Sequence, residues 1–135
     1  MTSSAASKKA RPKYLSLPAL LFEIRMPVMA WVSGMHRISG ALLFFPMTAW
    51  LLYLLDASLA SEAGFERVRG YLAHPFAKLG LLVFGWALAH HFFCGIRFLL
   101  MDIDKGVDAR SARGSAYAVF AASFALTALV AWRLW

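Results

Sequence analysis

The sequence predicts an all-α integral membrane protein built on three spanning helices. Hydrophobic residues make up 61% of its 135 residues, and the mean hydropathy is +0.62, a balance suited to lipid rather than water. All seven acids, Glu23, Asp56, Glu62, Glu66, Asp102, Asp104 and Asp108, fall at the edges of three long apolar segments or between them. The formal charge of +7 comes without a groove-sized basic patch carrying interleaved aromatics, which argues against nucleic acid. The lysines and arginines read instead as topology signals. One cysteine, Cys94, excludes an internal disulfide and a cysteine metal cage, and suits a small apolar filler.

Residues 1–26 read as an N-terminal tail and 27–135 as a single membrane domain. The first 13 residues are polar and acid-free and lack the apolar core of a secretory signal. Arg11-Pro12 interrupts any amphipathic transit helix, so a bacterial inner membrane is the simplest home. The first span is expected at about 27–55, longer than the roughly 20 residues a bilayer needs. Pro27 suits its first turn, and Pro46 predicts a kink inside it. The second span is expected at about 76–101 and the third at about 115–135. Trp31, Tyr53, Trp132 and Trp135 fall near span ends, where amphipathic rings settle at the headgroups.

Basic residues outside the spans are retained on the cytoplasmic side. Lys8, Lys9, Arg11, Lys13, Arg25, Lys105, Arg110 and Arg113 share one side, against Arg67, Arg69, Lys78 and Arg133 on the other. The N-terminus is therefore expected in the cytoplasm and the C-terminus in the periplasm. Span one then starts where span two ends. His36 and His91 each lie nine or ten residues inside those ends, about 13 to 15 Å deep at 1.5 Å per residue. The two histidines share a depth.

Ser33, His36, Arg37 and Gly40 are spaced by three and four residues and line one stripe of the first span. An arginine at mid-membrane costs about 2.5 to 3.5 kcal/mol on insertion scales, so Arg37 either snorkels to the headgroups or faces an anion. With no acid inside a span, that anion has to come from a ligand, a partner subunit or lipid. In the second span Ala87 and Gly95 flank His91 at four residues on either side, leaving a flat slot of the kind a haem ligated by an imidazole needs. A histidine hydrogen-bonded across a helix interface would use the same small neighbours. His90 points about 100° away, toward less room. Arg97 can meet a haem propionate, a partner's acid or headgroups, and His74, before Pro75, reads as solvated. A single axial histidine leaves the iron half-ligated, so a haem here would lie at an interface with another subunit.

The run Ser33-Gly34-Met35-His36-Arg37-Ile38-Ser39-Gly40, followed by His91-Phe92-Phe93-Cys94-Gly95-Ile96-Arg97 and Met101-Asp102, resembles the cytochrome b subunit of succinate dehydrogenase. Arg11-Pro12 and an outer-loop Gly64-Phe65 are similar too, so the resemblance covers most of the chain. It is the order, spacing and shared depth of the two runs that make them specific. The resemblance implies half of a heterodimeric helical membrane anchor in a four-subunit respiratory complex. A flavoprotein subunit would oxidise succinate, an iron-sulfur subunit would relay electrons, and two small anchors would form the quinone site. It further implies His91 as axial ligand of a shared haem b, opposite a histidine of the second anchor. Ser33 and Arg37 would face ubiquinone, His36 would lie between quinone and haem propionates, and Arg97 would contact a propionate or a partner. The chain departs from some relatives at Phe98, where they carry a histidine, and at His90, where they carry an aromatic; His90 thereby stays an alternate ligand. A fumarate reductase type anchor that oxidises quinol is the alternative within the same class. A small transporter subunit would call for a mid-membrane carboxylate, which the spans lack, and a purely structural adaptor would not need histidines at matched depth.

Overall fold

The computed structural model describes residues 16–135. Arg11-Pro12 and the tail residues Lys8, Lys9, Arg11 and Lys13 lie outside the described residues. A short π-helical stretch, Ala19–Glu23, precedes helix α1, Val28–Leu42. Pro27 is the N-cap of α1 rather than its first helical residue, its carbonyl accepting from the Ala30 N–H at 2.9 Å. The other helices are α2 (Thr48–Leu59), α3 (Glu62–Ala73), α4 (Pro75–Asp102) and α5 (Ala109–Leu134). No strand occurs among the described residues. Three helical segments are long and apolar enough to cross a membrane: Val28–Leu59, Pro75–Asp102 and Ala109–Leu134.

Where the sequence predicts a kink at Pro46, the structure widens Leu43–Met47 into π geometry. Proline has no N–H to give the carbonyl four residues back. Two residues on, the N–H of Thr48 reaches back five residues to the Leu43 carbonyl, and the Thr48 hydroxyl donates to the same oxygen at 3.0 Å. Beyond this turn, α2 packs on α3. The Trp50 ring of α2 meets Tyr71 of α3 at 6.4 Å and Phe84 of α4 at 5.6 Å, so α3 fills the corner between α2 and α4.

Helix α3 replaces the outer loop expected around Gly64-Phe65. Ser61 caps it, accepting from the Gly64 N–H at 3.0 Å. Gly64 is buried, and a Cβ there would collide with the Ala57 carbonyl oxygen of α2. Helix α5 likewise begins six residues before its expected start, because Asp108 accepts from the Arg110 and Ser111 N–H groups at 3.1 and 3.0 Å. Arg110 and Arg113 therefore belong to the first turns of a helix, not to a loop. The turn from α4 to α5 needs two left-handed residues, Asp104 (φ 58°) and Gly106 (φ 72°), positions an aspartate and a glycine tolerate.

Helices α1, α4 and α5 form the bundle, with Val32, Cys94, Ala116 and Val119 at its centre. Lipid supplies no hydrophobic force between helices, so close packing of small side chains has to hold them. Ala87, Ala89, Ala112, Ala116 and Ser123 are the buried small residues that allow it. Ser123 spends its hydroxyl on the Val119 and Phe120 carbonyls at 2.7 and 3.0 Å, so its buried oxygen is satisfied within its own helix. Phe44, Phe45 and Trp132 point outward, where lipid is their solvent. At the far end, the Lys78 ammonium donates to the Leu134 carbonyl at 2.6 Å and sits over the Trp135 ring, a cation at the helix end that favours one.

Candidate functional site

The site forms where α1 crosses α4. Ser39, three turns into α1 and almost fully buried, donates its hydroxyl to the His36 carbonyl at 2.9 Å. Across the interface, His91 of α4 places Nδ1 at 3.1 Å from that same His36 carbonyl and 3.3 Å from the Ser39 hydroxyl. A carbonyl oxygen only accepts, so the contact with it requires the proton on His91 Nδ1. Nε2 is left with its lone pair free. The rings of His36 and His91 stack at 4.1 Å and 15°. Phe98, two turns beyond His91, tilts against His36 at 5.2 Å.

Gly40 makes this approach possible. A Cβ at Gly40 would lie 2.9 Å from His91 Cε1, closer than carbon atoms pack. The slot read around His91 on its own helix is open on one side only. A Cβ at Gly95 would meet nothing within 4 Å, whereas Ala87 is fully buried in the bundle. The glycine that touches the imidazole comes from the other helix.

The structure thus brings His36 and His91 into contact, with Ser39 and Gly40 as neighbours whose part in holding His91 the sequence does not declare. Their signal was present, since Ser39 follows His36 by three residues and Gly40 by four, on one helical face. Ser33 is half-buried one turn before His36, and Arg37 is exposed. Among the described residues, the ion pair formed is Arg69 with Glu66 at 3.1 Å, so Arg37 has no carboxylate from this chain. His36 Nε2 is buried and has no hydrogen-bond partner among the described residues.

Two residues of the same region point elsewhere. His90 is fully buried inside the bundle: Nε2 lies 3.4 Å from the Val32 carbonyl, and the ring packs between Trp86 and Phe120 at 5.2 Å from each. Arg97 is also turned inward. It donates from Nε to the Ser115 hydroxyl at 3.0 Å and from Nη2 to the Ala112 carbonyl at 3.3 Å, tying α4 to α5. Cys94 fills the core, its thiol near the Val32 carbonyl. His74 is the exposed N-cap of α4, accepting from the Phe76 N–H. No three His, Cys, Asp or Glu side chains gather into a metal site among the described residues.

This geometry can be set beside known proteins. The family described as succinate dehydrogenase/fumarate reductase transmembrane subunit matches residues 8–130. The succinate dehydrogenase cytochrome b556 subunit of Coxiella burnetii is 36% identical over 116 residues, covering 85% of this chain and 92% of that protein. The three-span bundle and a match across nearly the whole length agree: the chain belongs to the family of succinate dehydrogenase/fumarate reductase transmembrane subunits.

Proposed function

We propose that this chain is one of two small membrane anchors of a succinate:ubiquinone oxidoreductase. In this reading it holds one b-type haem jointly with the second anchor and forms one wall of the ubiquinone site. The observation that carries it is the state of His91. Its Nδ1 is committed to the His36 carbonyl and the Ser39 hydroxyl, which leaves a neutral Nε2 available as an axial ligand. The open side at Gly95 and the unpartnered His36 Nε2 fit a flat group that carries acceptor oxygens. A bound haem would supply a one-electron carrier at that depth. His90 also has an unpartnered nitrogen, Nδ1, but its ring is fully buried between α1 and α5 with no room for a flat group, which favours His91 as the ligand.

Ser33 and Arg37 lie one helical turn apart on α1, nearer its cytoplasmic start than His91's partner face. Quinone reduction places negative charge on the ring oxygens before protons arrive. A hydroxyl and a guanidinium stabilise that charge where water is scarce. His36, between this pair and His91, would donate from Nε2 to a propionate or to the quinone. The second anchor would bring the opposite axial histidine, and the iron-sulfur subunit would deliver electrons originating at the flavoprotein. The distribution of basic residues supports a cytoplasmic N-terminus, a periplasmic C-terminus and a bacterial inner membrane.

The test is gentle detergent purification with subunit identification and a reduced-minus-oxidised spectrum. The expected result is a low-spin b-type signal in a four-subunit complex. His91→Leu should abolish that signal and His90→Leu should retain it. A haem-free complex, or the reverse outcome for the two histidines, overturns the assignment.

A further inference from the structure

The tie between α4 and α5 sits beside a groove of about 320 Å³. Its walls are apolar along Phe93, Ile96, Leu100 and Ala122, and its end near the α4–α5 turn is cationic, lined by Arg97 and Lys105. We propose that this groove binds one anionic phospholipid, with its phosphate at Arg97 and Lys105 and an acyl chain along the apolar wall.

The charge of Arg97 is the first reason. Arg97 is 6% exposed, and its guanidinium meets a hydroxyl, a carbonyl and the Phe98 ring at 5.5 Å, none of which carries a charge. Among the described residues no carboxylate pairs with it, and the nearby Asp102 and Asp104 are exposed. A buried cation without a counter-charge is costly, and a guanidinium has five N–H groups, so donors remain for a phosphate. Position is the second reason. Arg97 lies five residues before the end of α4 at Asp102, about 7 Å in from that end, near the boundary of headgroup and acyl chain. Basic pockets between helices at this level are where acidic headgroups bind.

The third reason is direction, and it rests on the proposed role of His91. Ile96 and Leu100 project roughly 140° to 180° around α4 from His91. A second anchor that meets His91 therefore lies on the opposite face of α4, which leaves this groove to the bilayer.

The experiment uses the whole complex, exchanged in detergent against equal amounts of phosphatidylglycerol and phosphatidylcholine with identical chains, and read by native mass spectrometry. Wild type should retain one phosphatidylglycerol per copy of this chain, several-fold over phosphatidylcholine. Lys105→Gln should erase the preference, and Ala118→Phe, which fills the groove, should remove the bound lipid. Both variants leave the Arg97 bonds to α5 in place. Equal retention of the two lipids in wild type, or an unchanged preference in Lys105→Gln, would refute anion recognition. If Ala118→Phe instead releases a subunit, the groove is a protein interface and the proposal fails. A complex that selects phosphatidylglycerol yet keeps its haem signal in His91→Leu would overturn the ligand assignment alone.

Discussion

Replacing Gly40 by alanine tests the contact on which the proposed site depends. The added methyl would start 2.9 Å from His91 Cε1, against about 3.5 to 4.0 Å for packed carbon atoms. The ring has to retreat by about 0.5 Å or more, and the backbone of α1 cannot follow it. Both acceptors of His91 Nδ1 are on α1 too, at 3.1 and 3.3 Å, so moving away from residue 40 also moves away from them. A retreat of about half an ångström takes both contacts past hydrogen-bond range. The lost bond costs about 0.5 to 1.5 kcal/mol and the overpacking about 1 to 3 kcal/mol. Alanine returns about 1 kcal/mol of helix propensity to α1. The bundle should therefore lose about 0.5 to 3.5 kcal/mol of stability while the imidazole loses its orientation. A loss of about 2 kcal/mol in holding the ligand means about 30-fold weaker haem retention. The assay is the haem-to-protein ratio and the low-spin electron paramagnetic resonance of the purified complex, beside its thermal unfolding. Full haem content with unchanged g values in Gly40→Ala would refute the reasoning. Ser39→Ala should shift those g values with haem retained, and Ser39→Thr, which keeps the hydroxyl, should restore them.

Ser33→Ala and Arg37→Ala should impair quinone reduction while succinate oxidation by a soluble acceptor persists; equal loss of both would indicate failed assembly instead. Gly64→Ala should separate α3 from α2 at a cost of about 1 to 3 kcal/mol, read as a lower unfolding temperature and new proteolysis between α2 and α4, and an unchanged pattern would contradict the tight contact with Ala57. The Ser111 hydroxyl and N–H, with the Arg110 N–H, hold the Asp108 carboxyl below the usual carboxylate range. Because this value is depressed in the folded chain, the cap is fully present above the unfolded value of about 3.9 and is lost as pH falls through the folded one. Amide exchange at Arg110 and Ser111, relative to intrinsic rates, should quicken in acid for wild type and not for Asp108→Asn, whose amide oxygen keeps the cap without titrating.

The spans were legible because lipid demands long uninterrupted apolar runs, and a run of that length leaves little choice of secondary structure. The meeting of His36 and His91 followed from depth alone: two antiparallel helices that begin and end at one surface align residues equally far from it. What stayed hidden depended on single polar residues at helix ends. Ser61 and Asp108 are ordinary N-caps, yet both lie in polar stretches that composition reads as loop, so α3 and the first turns of α5 went unseen. Arg97 was illegible for a different reason. Its spacing shows which side of α4 it occupies, but whether α5 or a partner waits on that side is decided by the packing of the third helix, which periodicity does not encode.

That distinction bears on why two adjacent histidines have such different fates. His90 and His91 differ by about 100° around α4, and α5 covers only one of them. His90 packs against Trp86 and Phe120 with Nε2 at the Val32 carbonyl of α1, and although its Nδ1 has no hydrogen-bond partner among the described residues, the ring is fully buried, with no opening for a ligand. His91 is claimed on one edge, by α1, and the rest of its ring meets His36, a residue with an unpartnered nitrogen of its own. A helix pair that served only to bury histidines would enclose both in the manner of His90. The arrangement at His91 fixes a tautomer and an orientation while sparing the nitrogen that would bind a metal, and those are the requirements of a ligand. Filling the space over His91 with a bulky residue at Gly95, where an added Cβ would meet nothing within 4 Å, should therefore leave the bundle of α1, α4 and α5 intact and block haem. A Gly95→Leu complex that still carries the low-spin signal would place the haem on some other face of α4.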